Sequence, residues 1–220
     1  PNLKISSNLI LRRSERFVHL NNMIKENRLG EVYFIYGAYN YGRKHKITDG
    51  WRGKLDFYSI IYGGGVHIID LFLWMLPEKK VKTVFATGNN IATKNSSFSN
   101  FDMVTATLHF ENFAIAQLSC NFACIHPHFH QFEVYGTEGT FINGINNAKF
   151  YNRMGSNRPM QINTEYPGIL KGDLIPDFVD SIIKKNAPIV SQENIFDVMS
   201  VCFAVEESCH TGKVVEVEYI

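Results

Sequence analysis

The sequence predicts an α+β domain, a large, open, mainly antiparallel sheet with one face covered by helices. Three observations carry this. Between residues 80 and 152, apolar runs recur with hairpin-like spacing. Helical periodicity precedes and follows that block. The chain has 220 residues, 45% hydrophobic and 20% charged, an ordinary globular balance able to bury a sizeable core.

Taken in order, residues 6–12 read as an extended entry or short strand. Ser14 is a candidate N-cap for a helix whose buried stripe is Phe17, Leu20 and Ile24, with Gly30 its candidate C′ residue. Residues 31–41 form a strand with both faces apolar, hence central. Residues 42–54 form a basic loop. Gly63, Gly64 and Gly65 lead into a buried helix that Pro77 stops. Strands follow at 80–91, 102–110, 113–124, 130–135 and 140–145, with 149–152 as an edge. Glu111-Asn112 reads as a two-residue hairpin turn and 152–167 as a loop. A helix over 174–185 has Pro176 in its first turn and faces Phe178, Ile182 and Ile175 inward. Ser191 caps the next helix, with Asn194 at N3, which runs to about Cys209; Gly212 closes it and 214–219 is the last strand. The polar stretch near 152–172 reads as a loop within one domain spanning 1–220.

The net charge of +1 excludes a strong electrostatic footprint for nucleic acid or an anionic membrane. No apolar run reaches spanning length, because Asp70 interrupts the longest, and early polar residues break any signal peptide. The four cysteines lack zinc-ribbon spacing and read as buried thiols. The cytoplasm is the expected compartment.

Chemistry concentrates in three places. His67, Asp70, Leu71 and Trp74 share one helix face, with His67 in the first turn, where the helix dipole disfavours imidazolium. A neutral imidazole beside a glycine-made opening suits proton transfer; the other reading makes His67 and Asp70 satisfied polar groups in a packed helix. Arg43, Lys44, His45, Lys46 and Arg52 surround Trp51. They suit either a phosphate or carboxylate with a stacked ring, or a solvated basic loop. His126, His128 and His130 alternate, but Pro127 disturbs the pairing and no carboxylate is placed nearby, so a substrate-lining role is expected before a metal.

Five stretches, in order and at matching spacing, resemble a known family. They are Leu29-Gly-Glu-Val-Tyr33, the block 63–74, Tyr135-Gly-Thr-Glu-Gly-Thr-Phe141, Phe178-Val-Asp-Ser-Ile-Ile183 and Glu207-Ser-Cys-His-Thr-Gly-Lys-Val-Val-Glu-Val217. Together they resemble the C-terminal domain of the glucose-fructose oxidoreductase, inositol dehydrogenase and rhizopine catabolism (Gfo/Idh/MocA) family, over residues 7–217. That resemblance implies a glyceraldehyde-3-phosphate dehydrogenase-like C-terminal domain. It also implies a sugar or nucleotide-sugar substrate, NAD or NADP held mainly by an N-terminal Rossmann domain, and a homodimer or homotetramer formed through the sheet. The chain carries neither a Gly-x-Gly-x-x-Gly turn nor a Glu-Lys-Pro tripeptide, so it is expected to be inactive alone.

The family's Gly-x-His-x-x-Asp pattern falls on Gly65, His67 and Asp70, which implies that His67 is the acid/base residue. An Asp often stands four residues before that histidine; here the position is Gly63, with Asp56, Tyr58 and Tyr62 as candidates to compensate. The expected substrate contacts are Arg12, Arg13, Arg43, Lys46, Trp51, Arg52, Tyr62, Asp70 and His128. The segments 41–47 and 50–53 resemble a branch met near bacterial surface-polysaccharide genes. A different reading is a non-catalytic sugar-binding or assembly module on the same fold.

Overall fold

The computed structural model describes residues 3–153 and 157–220. Its frame is a nine-stranded mixed sheet. The strands are β1 (Val32–Asn40), β2 (Val81–Asn89), β3 (Met103–Phe110), β4 (Ile115–Asn121), β5 (Phe129–Gly136), β6 (Gly139–Asn143), β7 (Ala148–Asn152), β8 (Met160–Ile162) and β9 (Val215–Glu216). Their order is β8-β7-β6-β5-β1-β4-β3-β2-β9. Every pairing is antiparallel except β1 with β4, which aligns Phe34 with Ile115 and Asn40 with Asn121. The doubly apolar β1 thus lies at the centre.

Alternation along the strands sets the two faces. Val104, Ala106 and Leu108 of β3, with Ala116, Leu118 and Cys120 of β4, point into the core. Thr105, Thr107 and Gln117 look outward. Helix α1 (Glu15–Lys25) sets Phe17 edge-on against Phe132 of β5. Helix α3 (Val66–Met75) crosses β1 and β4, while α5 (Gln192–Thr211) lies along β2. The crossing is close because β1 carries a glycine there: a Cβ on Gly37 would stand 2.3 Å from Ile68 and 2.9 Å from Phe72.

Several elements depart from the sequence reading. The entry segment makes a 3-10 turn, Ile10–Arg13, rather than a strand. Ser14 stands at the N-cap of α1, yet its hydroxyl makes no capping bond. Asn27, with φ 56°, takes the left-handed position after α1, and Gly30 belongs to the turn into β1. The basic stretch folds into α2 (His45–Thr48) and a 3-10 turn, Trp51–Lys54. The β3–β4 connection is longer than two residues, because Phe113 takes φ 67° and the Phe110 N–H reaches the Ala114 carbonyl. β7 is covered by β8, a three-residue strand too short to show periodicity. Met154, Gly155 and Ser156, inside the expected 152–167 loop, lie outside the described residues.

The C-terminal helices split. For α5 the capping box of Ser191 and Asn194 forms as read, and Gly212 closes the helix at φ 66°. For α4 (Ile175–Lys184) the expected inward face holds only in part: Phe178 is half-buried, but Ile175 and Ile182 are exposed, as are Val179 and Ile183, and Ser181 is the buried residue.

Candidate active site

The block that opened the chemistry is one helical run. A π-helical turn, Ile61–Gly65, passes directly into α3. Its start is capped by Ser59, whose Oγ accepts the N–H groups of Ile61 (3.1 Å) and Tyr62 (3.2 Å) and donates to Glu206 Oε2 (2.5 Å). His67 therefore lies more than one turn inside the helical run. Its pKa is still lowered, to about 4, but the cause is burial, then the neighbouring His128, rather than the helix terminus. Its Nδ1 is buried and has no hydrogen-bond partner among the described residues.

His67 opens onto a cavity of about 560 Å³. Strand β1 supplies Tyr39 and the residue beyond its end, Tyr41; β4 leads to Phe122; β5 brings His130; the entry segment 7–11 and Lys171 complete the wall. Tyr39 is the hub. Its ring stacks 6.0 Å from His67 and meets His128 and His130 at 5.3 and 5.0 Å between centroids. Burial raises the Tyr39 pKa, so its hydroxyl stays protonated. Burial also holds His130 well below its ordinary pKa, with His128 and His67 adding to the shift. His128 stands half out of the cavity; partial burial lowers its pKa, and Arg43 and Lys171 lower it further. Tyr62 is pushed up to about 12 by burial and by Glu206.

A second layer fixes His130. Its Nδ1 meets Tyr166 Oη at 2.8 Å, and its carbonyl accepts from Asn143 Nδ2 at 2.8 Å. Arg16, fully buried, donates to Asn143 Oδ1, Gly144 O, Asn146 O and Thr164 O and lies 5.0 Å from the Tyr166 ring centroid.

Of the residues the sequence nominated, the structure brings His67, Arg43, Arg52, Tyr62 and His128 to this cavity. It places the others elsewhere. Arg12 and Asp70 form a buried pair: Arg12 Nη2 meets Asp70 Oδ1 at 2.6 Å and Nε reaches both carboxylate oxygens. The remaining Arg12 nitrogen ties Ile189 O and Asn194 Oδ1. Burial pushes the Asp70 carboxyl up, and the Arg12 fork opposes that by holding the charged form. This pair joins the entry turn to α3 and α5, engages four of the five Arg12 N–H donors, and lies off the cavity lining. Arg13 and Lys46 are exposed off the cavity wall, and Trp51 reaches the site only through Arg52, whose guanidinium carbon lies 4.5 Å from its ring centroid.

His130 had been marked with His126 and His128 as one of three alternating histidines, of which His128 was nominated; Tyr39, Tyr41 and Lys171 were missed as site residues. Their sole sequence signals were an apolar strand end and a polar loop, neither of which points inward without the fold. Among the described residues no group of three His, Cys, Asp or Glu side chains is placed to hold a metal ion. No described helix is long and apolar enough to cross a membrane.

Solved structures share this fold. A scyllo-inositol dehydrogenase from Lactobacillus casei, with bound NAD(H) and scyllo-inositol, superposes with a TM-score of 0.76 at 17% identity, over 98% of this chain and 65% of that one. A levoglucosan dehydrogenase in complex with NADH and levoglucosan gives 0.79 at 18% identity, over 96% and 66%. An oxidoreductase from Agrobacterium radiobacter, in complex with NAD+, L-tartaric acid and magnesium, gives 0.81 at 15% identity, over 98% and 65%. The chain spans roughly two thirds of the length of these structures, and 61% of a putative oxidoreductase from Thermotoga maritima. A search of curated proteins finds no match. The model of the GFO/IDH/MocA C-terminal domain matches residues 17–142. With more than half of its residues in that match and the nine-stranded sheet behind them, this chain belongs to the GFO/IDH/MocA family as its C-terminal domain.

Proposed function

We propose that this chain is the substrate-binding half of a nicotinamide-dependent oxidoreductase acting on a sugar or nucleotide-sugar hydroxyl. The single observation that carries the reading is His67, an imidazole kept uncharged by burial, on the wall of a cavity that gathers three histidines and three tyrosines. Such an imidazole fits what this chemistry asks of the protein, a base for the substrate's hydroxyl proton. Tyr39 and His130, both neutral and buried, shape the wall beside it. The hydride chemistry belongs to NAD or NADP, which would be held mainly by a dinucleotide-binding domain; the chain has no Gly-x-Gly-x-x-Gly turn of its own. The scyllo-inositol and levoglucosan bound in two of these solved structures support a polyhydroxylated substrate here.

The same reading extends to setting. The likeness of 41–47 and 50–53 to a surface-polysaccharide branch supports a biosynthetic role for a nucleotide sugar. The free thiols of Cys120 and Cys202, both buried, suit a reducing cytoplasm. The outward sheet face, with Tyr33 and Phe85 about half exposed, supports a homo-oligomer paired through the sheet.

A second reading, a non-catalytic binding module, has one observation in its favour. Where the resemblance leads one to look for an Asp, Gly63 stands with the Tyr58 hydroxyl in the space a side chain would fill. The test is turnover of the full-length gene product with UDP-sugars and free polyols, read as NAD(P)H formation. In the proposed case His67→Ala lowers kcat by about two to four orders of magnitude. An unchanged kcat removes His67 from the chemistry, and no turnover with any sugar favours the module.

A further inference from the structure

The walls of the cavity carry an uneven charge. The chain as a whole is nearly balanced, with 22 Lys and Arg against 21 Asp and Glu. Yet the described residues that line the cavity include Arg43, Arg52 and Lys171 and no carboxylate. None of the three cations forms an ion pair among the described residues.

Arg52 is held in place. Its Nε donates to Tyr58 Oη at 2.9 Å, and the guanidinium lies against the rings of Trp51 and Tyr58. The two terminal nitrogens are left for a ligand, which is the fork that binds carboxylate or phosphate well. Arg43 rests on the Tyr41 ring, with its carbon 5.2 Å from the centroid. Gly63 fits the same scheme. A Cβ there would come within 2.1 Å of the Tyr58 hydroxyl that holds Arg52. An acidic side chain at 63 would displace that phenol and set a negative charge beside the guanidinium. Glycine keeps both the clamp and the charge.

We propose that the substrate carries an acidic group, a carboxylate or a phosphate, which Arg43, Arg52 and Lys171 receive while the hydroxyl to be oxidised reaches His67. This rests on the sugar-oxidoreductase reading and narrows it to anionic sugars. It also gives Arg43 and Arg52 of the basic loop and the departure at Gly63 one explanation. An anion in the cavity would favour a proton on His67, whose free form is strongly disfavoured from carrying one.

The test is calorimetric titration of this chain with glucuronate, glucose 6-phosphate and glucose, at low and high salt, for wild type, Arg52→Gln and Lys171→Gln. At least one acidic sugar should bind about tenfold or more tightly than glucose at low salt, as charge-assisted bonds imply. High salt and each substitution should shrink that margin; Lys171 is exposed, so its variant guards against a folding defect in the other. Preference for glucuronate over glucose 6-phosphate identifies a carboxylate, and the reverse a phosphate. Equal binding of glucose and the acidic sugars overturns the proposal while leaving the sugar reading intact. Binding of no sugar at all overturns both.

Discussion

At the scale of single residues, the buried histidines make stability depend on pH. The folded pKa values of His67 and His130 lie below the ordinary value of 6.5. Below pH 6.5 the unfolded chain takes up protons that the folded chain refuses, so stability is complete above that pH and falls as acid is added. Each site contributes at most about 1.4 kcal/mol per pH unit, and for His67 the loss runs from 6.5 to about 4. Urea unfolding at pH 7.5, 6 and 5 should show a falling midpoint; a flat series would mean these imidazoles are not buried in solution. Asp70 makes the opposite kind of prediction. Replacing it with Ala strands the buried Arg12 guanidinium, a loss of about 3–5 kcal/mol. Ligand titration of the surviving folded fraction should be unaltered, because the pair stands off the cavity; weakened binding at equal folding would return Asp70 to the site.

At the scale of elements, the π-helical turn and α4 carry the lessons. A π turn was not legible in Gly63 to Gly65, since glycine repeats permit many backbones and choose none. Its effect is to carry the cap back to Ser59 and to bury His67 deeper in the helical run. The periodicity of α4 is strong in the sequence, with Ile175, Val179, Ile182 and Ile183 in helical register. Period alone marks an apolar face but not what that face meets. Here it meets solvent, so Ile182→Ser and Ile183→Ser should each cost no more than about 0.5 kcal/mol in urea unfolding. A loss of core size, about 2–5 kcal/mol, would show that α4 packs inward in solution.

At the scale of the whole molecule, one face of the sheet is covered by helices and the other is not. Leu118 of β4 is buried in the core, and Phe113 is almost fully exposed at a turn. The outward face instead carries Tyr33, Phe85 and the threonine rows of β2 and β3. If copies pair through it, light scattering should give a dimer or tetramer, and Phe85→Glu should shift it to monomer by desolvating a charge in the contact. A monomeric wild type would end the sheet-pairing proposal.

The fold class and most of the elements followed from the sequence alone, because apolar period, caps and turn residues are local properties. It also marked His67, Arg43, Arg52, Tyr62 and His128. The helix stop at Pro77, the cap at Ser191 and the closing Gly212 all stand where local chemistry put them. The tertiary structure decided what no local pattern encodes. It set β1 beside β4 in parallel, turned Arg12 and Asp70 toward each other, and gathered Tyr39, His130 and Lys171 around His67. These are contacts between residues 28 to more than 100 positions apart, and their partners are chosen by packing and by the need to pair buried charge.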